Sequence, residues 1–250
     1  MINRIGIISD IHGNSLALEA VIEDMEKNHV NTILNLGDSL YGPLDPAGTF
    51  ELISELKMIS ISGNQDRFIL ESREFKNKSN ATLEFVLETL PEDAFVWLQQ
   101  LEQVAEWNKF FLCHGNLQHD DVPLIETFQN GQVHKKDPKT LEEEIMQLKQ
   151  PIILCGHTHV PHILQLQESK KWVINPGSVG LPAYDDDFPF YHKMESGSPY
   201  AKYTILDLEE DEVISISQRN IKYDFEHAAL QAEKLNRSDW AYWIRTGLVK

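Results

Sequence analysis

The sequence is poor in cysteine and in basic residues and has no long apolar run, and each shortage excludes a class of protein. Cys113 and Cys155 are the only cysteines, and their spacing is not that of a zinc site, so the chain fits a reducing compartment. The chain has 39 acidic and 22 basic residues, which give it a formal charge of −17. This charge opposes binding to long nucleic acids and to anionic membranes. No run approaches the roughly 20 apolar residues of a membrane span, and the apolar start of the chain is too short for a secretory signal. We therefore expect a cytoplasmic protein that has neither a membrane nor a long nucleic acid as its partner.

Apolar periodicity in the first part of the chain predicts strands that alternate with helices. The predicted strands are residues 4–9, 32–36 and 58–62, and the predicted helices are residues 15–27 and 49–56. A helical insert at residues 79–102 follows, with an apolar stripe on each side of Pro91. Alternating strands and helices are typical of a parallel sheet that is covered on both faces.

Beyond the insert the pattern changes towards strands and loops. The predicted elements are strands at 109–113 and 152–155, an irregular polar stretch at 118–138, and helices at 141–149, 223–235 and 239–248. Hairpins at 163–174 and 203–218 predict a second, largely antiparallel sheet, and residues 183–200 are predicted to form a long surface loop. Three C-terminal aromatic residues are predicted to pack on the core, namely Trp240, Tyr242 and Trp243. With 42% hydrophobic residues and no visible linker, we expect one α/β domain over residues 1–250.

Seven side chains that can bind a metal follow predicted strands and lie near glycines. They comprise two carboxylates, one amide and four imidazoles: Asp10, His12, Asp38, Asn64, His114, His157 and His159. Residues two apart in extended backbone project to the same side, so Asp10 and His12 can reach one ion while Ile11 enters the core. Open α/β sheets place their ligand sites beyond the carboxyl ends of parallel strands. Oxygen and nitrogen donors of this kind suit Mn²⁺, Fe or Zn²⁺, and the set indicates a two-metal hydrolytic centre.

On these motifs the chain resembles the calcineurin-like metallophosphoesterases, and within them the small bacterial and archaeal phosphodiesterase branch. The resemblance extends over residues 5–182 and includes Tyr41-Gly42-Pro43 and the segment 175–182, which we interpret as a rigid turn at the pocket floor. It implies a four-layer α-β-β-α sandwich of two mixed sheets flanked by helices, to which the periodicity adds short C-terminal helices. It also implies two ligand sets that share a bridging carboxylate: Asp10, His12 and His159 for one ion, Asn64, His114 and His157 for the other, and Asp38 between them.

The resemblance implies hydrolysis of phosphodiester or phosphoanhydride bonds in small, nucleotide-type substrates such as dinucleoside polyphosphates. Two divalent ions about 3.5–4 Å apart lower the pKa of a bridging water, orient the resulting hydroxide for attack on phosphorus and neutralise the phosphate oxygens. Manganese is the expected metal, with iron, zinc and nickel as alternatives. The charges of two such ions exceed those of Asp10 and Asp38, so the site attracts anions although the chain as a whole is acidic.

One position departs from the family pattern, because Gln65 stands where the family usually has a histidine that can protonate the leaving oxygen. Glutamine donates a hydrogen bond but does not transfer a proton at neutral pH. We therefore predict a preference for good leaving groups, as in phosphoanhydrides or aryl phosphodiesters. His119 and His162 are candidates for a replacement acid, and the alternative for both is a solvated loop or a sheet edge.

Substrate contacts are predicted at Asn14 and Arg67. The guanidinium of Arg67 can bind two phosphate oxygens, and the alternative is a salt bridge at the start of a helix. Asn14 can also cap the helix that follows it. The acidic run 185–187 is interpreted as a solvated loop, and the two cysteines as small core residues. Four further histidines are assigned to the surface, namely His29, His134, His192 and His227.

Two other functions stay open on the sequence alone. A phosphoprotein phosphatase would use the same ions but needs an open groove with cationic recognition, whereas the loops here are mostly acidic. A non-catalytic interaction scaffold of the same fold usually lacks some of the ligands, whereas all seven positions carry coordinating side chains.

Overall fold

A computed structural model describes residues 2–75, 80–129, 132–210 and 212–250 of the protein. Within these residues the strands are β1 (Asn3–Ile8), β2 (Thr32–Asn35), β3 (Met58–Ser60), β4 (Val104–Trp107), β5 (Phe110–Cys113), β6 (Glu126–Gln129), β7 (Gln132–Lys135), β8 (Ile152–Leu154), β9 (His162–Gln165), β10 (Trp172–Asn175), β11 (Ala183–Asp186), β12 (His192–Glu195), β13 (Ala201–Glu209) and β14 (Glu212–Ile221). The helices are α1 (Ser15–Lys27), α2 (Pro46–Glu55), α3 (Asn64–Phe75), α4 (Ala81–Thr89), α5 (Glu92–Gln99), α6 (Pro138–Ile145), α7 (Phe225–Lys234) and α8 (Ser238–Thr246). The helical insert predicted at 79–102 forms α4 and α5, and its residue 79 lies outside the described residues.

The longer strands form two five-stranded sheets of similar design. In the first sheet, ordered β14-β13-β1-β2-β3, the strands β1, β2 and β3 are parallel to one another, and β13 pairs antiparallel with both β1 and β14. In the second sheet, ordered β4-β5-β8-β10-β9, the central strands β5, β8 and β10 are parallel and the edge strands are antiparallel. Both sheets are therefore mixed.

Alternation of apolar side chains along the strands produces the layers. Ile7 of the first sheet and Phe110 of the second belong to one buried cluster between the sheets. The neighbouring Ile8 points to the opposite face, where it joins a cluster with Leu18 of α1 and other helical residues. The outer face of the second sheet packs on α6. The layers run helix, sheet, sheet, helix, and the predicted sandwich of two mixed sheets is confirmed.

Two predictions for the strand-rich half of the chain are wrong. The hairpins at 163–174 and 203–218 do not form one antiparallel sheet, because β9 and β10 extend the second sheet whereas β13 and β14 extend the first. Pairing of β13 with β1 buries Tyr203 and Leu206 on opposite faces of the first sheet, so burial decides the neighbour of β13. The loop predicted at 183–200 contains the hairpin β11–β12, which buries Ala183.

The same hairpin corrects the surface assignment of one histidine. His192 is 7% exposed, and its ring lies 4.5 Å from that of Phe128. Phe128 belongs to the hairpin β6–β7, which forms within the stretch 118–138 that was predicted to be irregular. His29, His134 and His227 are exposed, as predicted.

The C-terminal helices complete the first helical layer. Trp240 and Trp243 are 4% and 6% exposed and belong to the largest buried cluster, against which Tyr242 packs, so the prediction that they pack on the core is confirmed. Both cysteines are buried and unpaired, again as predicted. In the described ranges, every helix is too short or too polar to cross a membrane.

A buried lysine gives the fold a dependence on alkaline pH. Lys202 on β13 is 2% exposed and donates to the carbonyl oxygens of Ser198 and Tyr200, and burial lowers its pKa to about 8. Unfolding returns the amine to its ordinary value of 10.5, so the unfolded chain binds more protons between these pH values and the free energy of unfolding rises with pH. Relative to Lys202→Met, we expect this rise to reach up to about 3 kcal/mol between pH 8 and pH 10.5 in urea unfolding. Equal pH slopes for the two proteins would contradict the assignment.

Candidate metal centre

The seven predicted ligands come together where the loops of both sheets meet. They follow the parallel strands in this order: Asp10 and His12 after β1, Asp38 after β2, Asn64 after β3, His114 after β5, and His157 and His159 after β8. Backbone hydrogen bonds join these loops within each sheet. The Asp10 N–H donates to the Gly37 carbonyl at 2.9 Å, and the Gly156 N–H donates to the His114 carbonyl at 2.7 Å. The fold itself therefore places the side chains.

Five of these residues adopt the left-handed backbone conformation, which residues other than glycine rarely use. Their φ angles are 56° at Asp10, 53° at His12, 55° at Asp38, 69° at His157 and 60° at His159. A non-glycine residue in this conformation costs about 1–3 kcal/mol, and Asp and His tolerate it better than β-branched residues do. The loops thus give up stability in order to turn sharply at the strand ends, and such strain is typical of functional sites.

Three of the imidazoles are fixed by backbone carbonyl groups. The Nδ1 atom lies 3.0 Å from the Tyr41 oxygen in His12, 2.7 Å from the Leu36 oxygen in His114 and 2.6 Å from the Leu181 oxygen in His159. A carbonyl oxygen only accepts, so each Nδ1 is assigned as the donor and each Nε2 faces the other ligands. This arrangement is typical of metal-bound histidines, whose second nitrogen is held by an acceptor.

Ring nitrogens of the histidines converge on the carboxylates of Asp10 and Asp38. The Oδ1 of Asp10 lies 3.3 Å from Nε2 of His159 and 3.8 Å from Nε2 of His114, which is also 3.3 Å from Oδ2 of Asp38. Two groups within the described residues have ligand atoms within 4.8 Å of one another, namely Asp10 with His12 and His159, and Asp10 with Asp38 and His114. The Asp10 Oδ1 and the His114 Nε2 are buried without a hydrogen-bond partner. Buried polar atoms are almost always paired, so these two fit a bound cation.

Burial and neighbouring charges shift the pKa values of these groups in ways that favour a cation. Burial opposes the ionisation of Asp10, but the imidazoles around it, His159 foremost, hold the pKa of its carboxyl below the usual range. Burial, aided by His159, lowers the pKa of His12 to about 4, so this imidazole is neutral at pH 7. Burial would also lower the pKa of His114, but Asp38 raises it to about 10. The carboxylates therefore attract positive charge, which a metal ion can supply in place of a proton.

A second part of the site lies at the start of α3. The Nδ1 atom of His157 is 3.2 Å from Oδ1 of Asn64, and burial lowers the pKa of this histidine to about 4. The N–H of Gln65 donates to Oδ1 of Asp38 at 2.7 Å. Asp66, in the same turn, accepts backbone hydrogen bonds from the loops after β2 and β3. Apolar periodicity did not predict α3, and only the salt-bridge alternative for Arg67 placed the start of a helix here.

The turn at 175–182 holds the first ligand loop in place. The Ser178 hydroxyl donates to the Asp10 carbonyl at 2.7 Å, and the Gly180 N–H donates to the same oxygen at 3.1 Å. The approach is so close that a Cβ atom on Gly180 would lie 1.8 Å from the carbonyl oxygen of Ile11. Only glycine fits this contact, which explains its place in the turn.

A cavity of about 180 Å³ opens on the ligands. It is lined by His12, Asp38, Asn64, His157 and His159, and by Gln65 beside them. Its outer lining includes Tyr184, Asp185 and Asp186 from β11 and Arg237, Trp240 and Trp243 from the C-terminal region. None of these outer residues was predicted to belong to the site, since no local sequence signal marks a hairpin or a helix as the neighbour of a distant ligand loop.

The two predicted substrate contacts lie outside the lining of this cavity. Asn14 is 1% exposed, caps α1 and donates to the Gly180 carbonyl at 2.9 Å and to the Tyr223 hydroxyl at 3.2 Å. Arg67 makes two 2.8 Å hydrogen bonds with the Asp120 carboxylate, which is the salt-bridge alternative. Both polar groups have partners within the fold, which favours the structural alternatives given above for Asn14 and Arg67.

The two candidate acids also lie outside the lining of the cavity. His119 is exposed, and Nε2 of His162 lies 3.0 Å from Oε1 of Glu126. The same Glu126 oxygen accepts a hydrogen bond from the hydroxyl of Thr158, between the two ligands that follow β8. Glu126 thus contacts the loop that carries His157 and His159, and no sequence pattern marked it because it lies in a stretch without apolar periodicity.

Comparisons with known proteins agree with this geometry. A family model described as the calcineurin-like phosphoesterase superfamily domain matches residues 4–233. The chain is 28% identical to protein MJ0912 of Methanocaldococcus jannaschii over 95% of each chain, and 27% identical to phosphodiesterase YfcE of Escherichia coli K12 over 85% of this chain and 92% of YfcE. Among solved structures, protein PH1004 of Pyrococcus horikoshii has a TM-score of 0.75 at 16% identity, covering 98% of each chain. A metallophosphoesterase of Sphaerobacter thermophilus has a TM-score of 0.71 at 22% identity, covering 96% of this chain and 99% of that one.

The structural matches establish the fold, and the family model extends over nearly the whole chain, including every ligand-bearing loop. The motifs, the sandwich and the cluster of buried donors point to the same group of proteins. The chain belongs to the calcineurin-like phosphoesterase superfamily.

Proposed function

We propose that the protein is a two-metal phosphoesterase that hydrolyses phosphodiester or phosphoanhydride bonds of small, nucleotide-type substrates. The observation that carries this proposal is the buried cluster around Asp10 and Asp38, in which the Asp10 Oδ1 and the His114 Nε2 lack a hydrogen-bond partner. Buried polar groups are mostly paired, and although Ser9, Ser60 and Glu126 also have an unpaired atom, the two at Asp10 and His114 lie together in a cluster that opens on a cavity. The family and the similarity to phosphodiesterase YfcE support a hydrolase.

The donors present fit two divalent ions. Asp10, His12 and His159 would hold one ion, Asn64, His114 and His157 would hold the other, and Asp38 would contact both. When bound, such ions supply a water of lowered pKa as the nucleophile and neutralise the charge of the phosphoryl oxygens. We propose manganese, with iron, zinc or nickel as alternatives, because the ligands combine imidazole with oxygen donors and include no thiolate.

The side chains of the protein then have three tasks. The carbonyl-anchored imidazoles of His12, His114 and His159 keep their Nε2 atoms directed at the ions without rearrangement. The carboxylates compensate the charge of the ions. Gln65 lines the cavity and can donate a hydrogen bond to a leaving oxygen, but it does not protonate that oxygen. Substrates whose leaving group is stable as an anion are therefore favoured.

Two alternative functions are separated from this one by features of the site. A phosphoprotein phosphatase would need cationic recognition, whereas Asp185 and Asp186 line the outer cavity. A non-catalytic scaffold would not require candidate metal ligands to lie buried together in strained backbone conformations. A cytoplasmic location and a small phosphorylated partner remain predictions from the sequence and the family.

Metal analysis combined with a substrate panel tests the proposal. Purified protein is loaded with Mn²⁺, Fe²⁺, Zn²⁺ or Ni²⁺, its bound metal is measured by mass spectrometry, and hydrolysis of aryl phosphodiesters, anhydrides, cyclic nucleotides and phosphopeptides is followed. We expect two ions per chain and metal-dependent turnover of diesters or anhydrides. Protein that binds no metal and shows no turnover would favour the scaffold, and a preference for phosphopeptides would favour the phosphatase.

The substitution Gln65→His should affect substrates according to their leaving group. Restoring an imidazole should raise kcat for alkyl phosphodiesters, whose leaving oxygen needs a proton, by up to about 10²-fold, while kcat for nitrophenyl diesters changes little. Gln65→Met is the matched control, because it removes the hydrogen bond without adding an acid. If both leaving groups responded equally to Gln65→His, the residue would not control protonation.

A further inference from the structure

The outer part of the cavity is acidic and aromatic. Asp185 and Asp186 enter it from β11, and the rings of Tyr184 and Trp240 form apolar surface next to the ligands. The Tyr184 ring lies 4.6 Å from that of His159, so this apolar surface reaches the metal centre itself. We call the rim formed by the exposed Asp186 and the partly exposed Asp185 and Arg237 the mouth.

The positive charge at the mouth is already compensated. Arg237 is the one lysine or arginine among the described residues that line the cavity. Its Nε and Nη2 atoms donate to the Asp239 carboxylate at 2.9 and 2.7 Å, and its Nη1 donates to the Thr82 hydroxyl. Asp185 and Asp186 accept hydrogen bonds only from neutral groups, and in the described part of the chain no cation pairs with either. Lys193 stands opposite Asp185 across the hairpin β11–β12, but its Nζ donates to the backbone oxygens of Val249 and Lys250, so the two carboxylates of the mouth have no ion-pair partner among the described residues.

The size of the cavity determines which part of a substrate meets this charge. Sites that enclose a whole small ligand measure roughly 300–1,000 Å³, whereas this cavity measures about 180 Å³. A phosphoryl group at the ligands and part of one substituent fill it. A further phosphate of a substrate that leaves the cavity past the mouth meets Asp185 and Asp186, and like charges repel each other there, most of all at Asp185, which is only partly exposed.

We propose that Asp185 and Asp186 act as a charge filter, which selects phosphodiesters with one phosphate and an uncharged aromatic substituent over polyphosphates. The inference rests on the proposed function and narrows it to one of the two substrate classes that Gln65 leaves open. Tyr184 and Trp240 contact the substituent, while the two carboxylates act at a distance on any additional phosphate. They determine specificity without touching the reacting atoms.

The test compares two substrates in wild type and in the double variant Asp185→Asn/Asp186→Asn. The substrates are bis(p-nitrophenyl) phosphate, with one charge, and diadenosine tetraphosphate, with several. At low ionic strength the double variant should raise kcat/KM for the tetraphosphate about five- to tenfold and that for the diester less than about twofold, and the difference should shrink near 0.5 M salt. Asp187→Asn is the matched control, because Asp187 is an exposed neighbour outside the lining of the cavity.

A binding measurement separates this inference from the proposed function. Calorimetry on the manganese-loaded proteins compares the Kd of phenyl phosphate with that of tripolyphosphate, and the double variant should favour tripolyphosphate by a similar factor. If wild type hydrolysed neither substrate, the proposed function would fail, yet the binding ratio would still test the filter. Unchanged ratios of kcat/KM and of Kd would overturn the charge filter and leave the hydrolytic activity standing.

Discussion

Replacing Asp38 with asparagine should lower kcat/KM for an aryl phosphodiester by about 10³-fold or more. The carboxylate of Asp38 lies 3.3 Å from His114 and is the predicted bridge between two ions, so its loss removes charge and a ligand from both. Bound metal should fall below two ions per chain. The measurements are steady-state kinetics with Mn²⁺ and metal analysis of the same samples.

This substitution separates chemistry from folding. Asparagine tolerates the φ of 55° at this position, and its side-chain oxygen can still accept the hydrogen bond from the Gln65 N–H. The metal-free variant should remain folded in the assay buffer but unfold at a lower urea concentration than wild type, because it loses the charge that raises the pKa of His114. Asp45→Asn is the matched control, because Asp45 caps α2 and an asparagine also caps a helix well. An Asp38→Asn enzyme that retained more than a tenth of wild-type kcat/KM would exclude the bridging role.

Replacing Gly180 with alanine should lower the free energy of unfolding by about 3 kcal/mol or more. The added Cβ would lie 1.8 Å from the Ile11 carbonyl oxygen and 2.7 Å from the Cβ of Asn14, and neither atom belongs to a movable side-chain end. Since Ile11 stands between two ligands, the same shift should displace Asp10 and His12. Urea unfolding in the presence of a chelator measures the stability effect without a contribution from bound metal.

Gly6→Ala is the control for this prediction. A Cβ on Gly6 would meet mainly the flexible end of Met25, whose Cε is 2.8 Å away, and that side chain can move. We expect the free energy of unfolding to change by no more than about 1 kcal/mol. Alanine lowers the conformational entropy of the unfolded chain, and this gain offsets the strain of the new contact. If both variants lost equal stability, the close approach of the 175–182 turn to the first ligand loop would not explain the effect.

The ligand loops were predictable because their signal is local. Each loop has a buried strand, a glycine and a side chain that can bind a metal within a few residues of one another. Parallel strands bring the residues that follow them to one edge of a sheet. The sandwich followed from the same alternation of apolar residues. The neighbour of β13 was not predictable, since a hairpin pattern gives the pairing of β13 with β14 but not the sheet that the pair joins.

The other wrong or missing predictions concern residues whose partners lie far away in the sequence. Arg67 could bind a phosphate or a carboxylate, and only the folded chain places Asp120 within 2.8 Å of its guanidinium. Tyr184 and Arg237 reach the cavity through packing that brings distant parts of the chain together. The segment 183–200, rich in aspartate, glycine and proline, has the composition of a loop, and its hairpin forms because Ala183 and Met194 find apolar surroundings.

The division of the ligands between the two sheets has a consequence for the sandwich as a whole. Asp10 follows a strand of the first sheet and His159 a strand of the second, whereas the interior between the sheets is apolar and its packing is not directional. A cation bound by both side chains would therefore cross-link the two sheets at one end. Separation of the sheets during unfolding would then require release of the ion, and the free energy of unfolding would increase with the concentration of free metal.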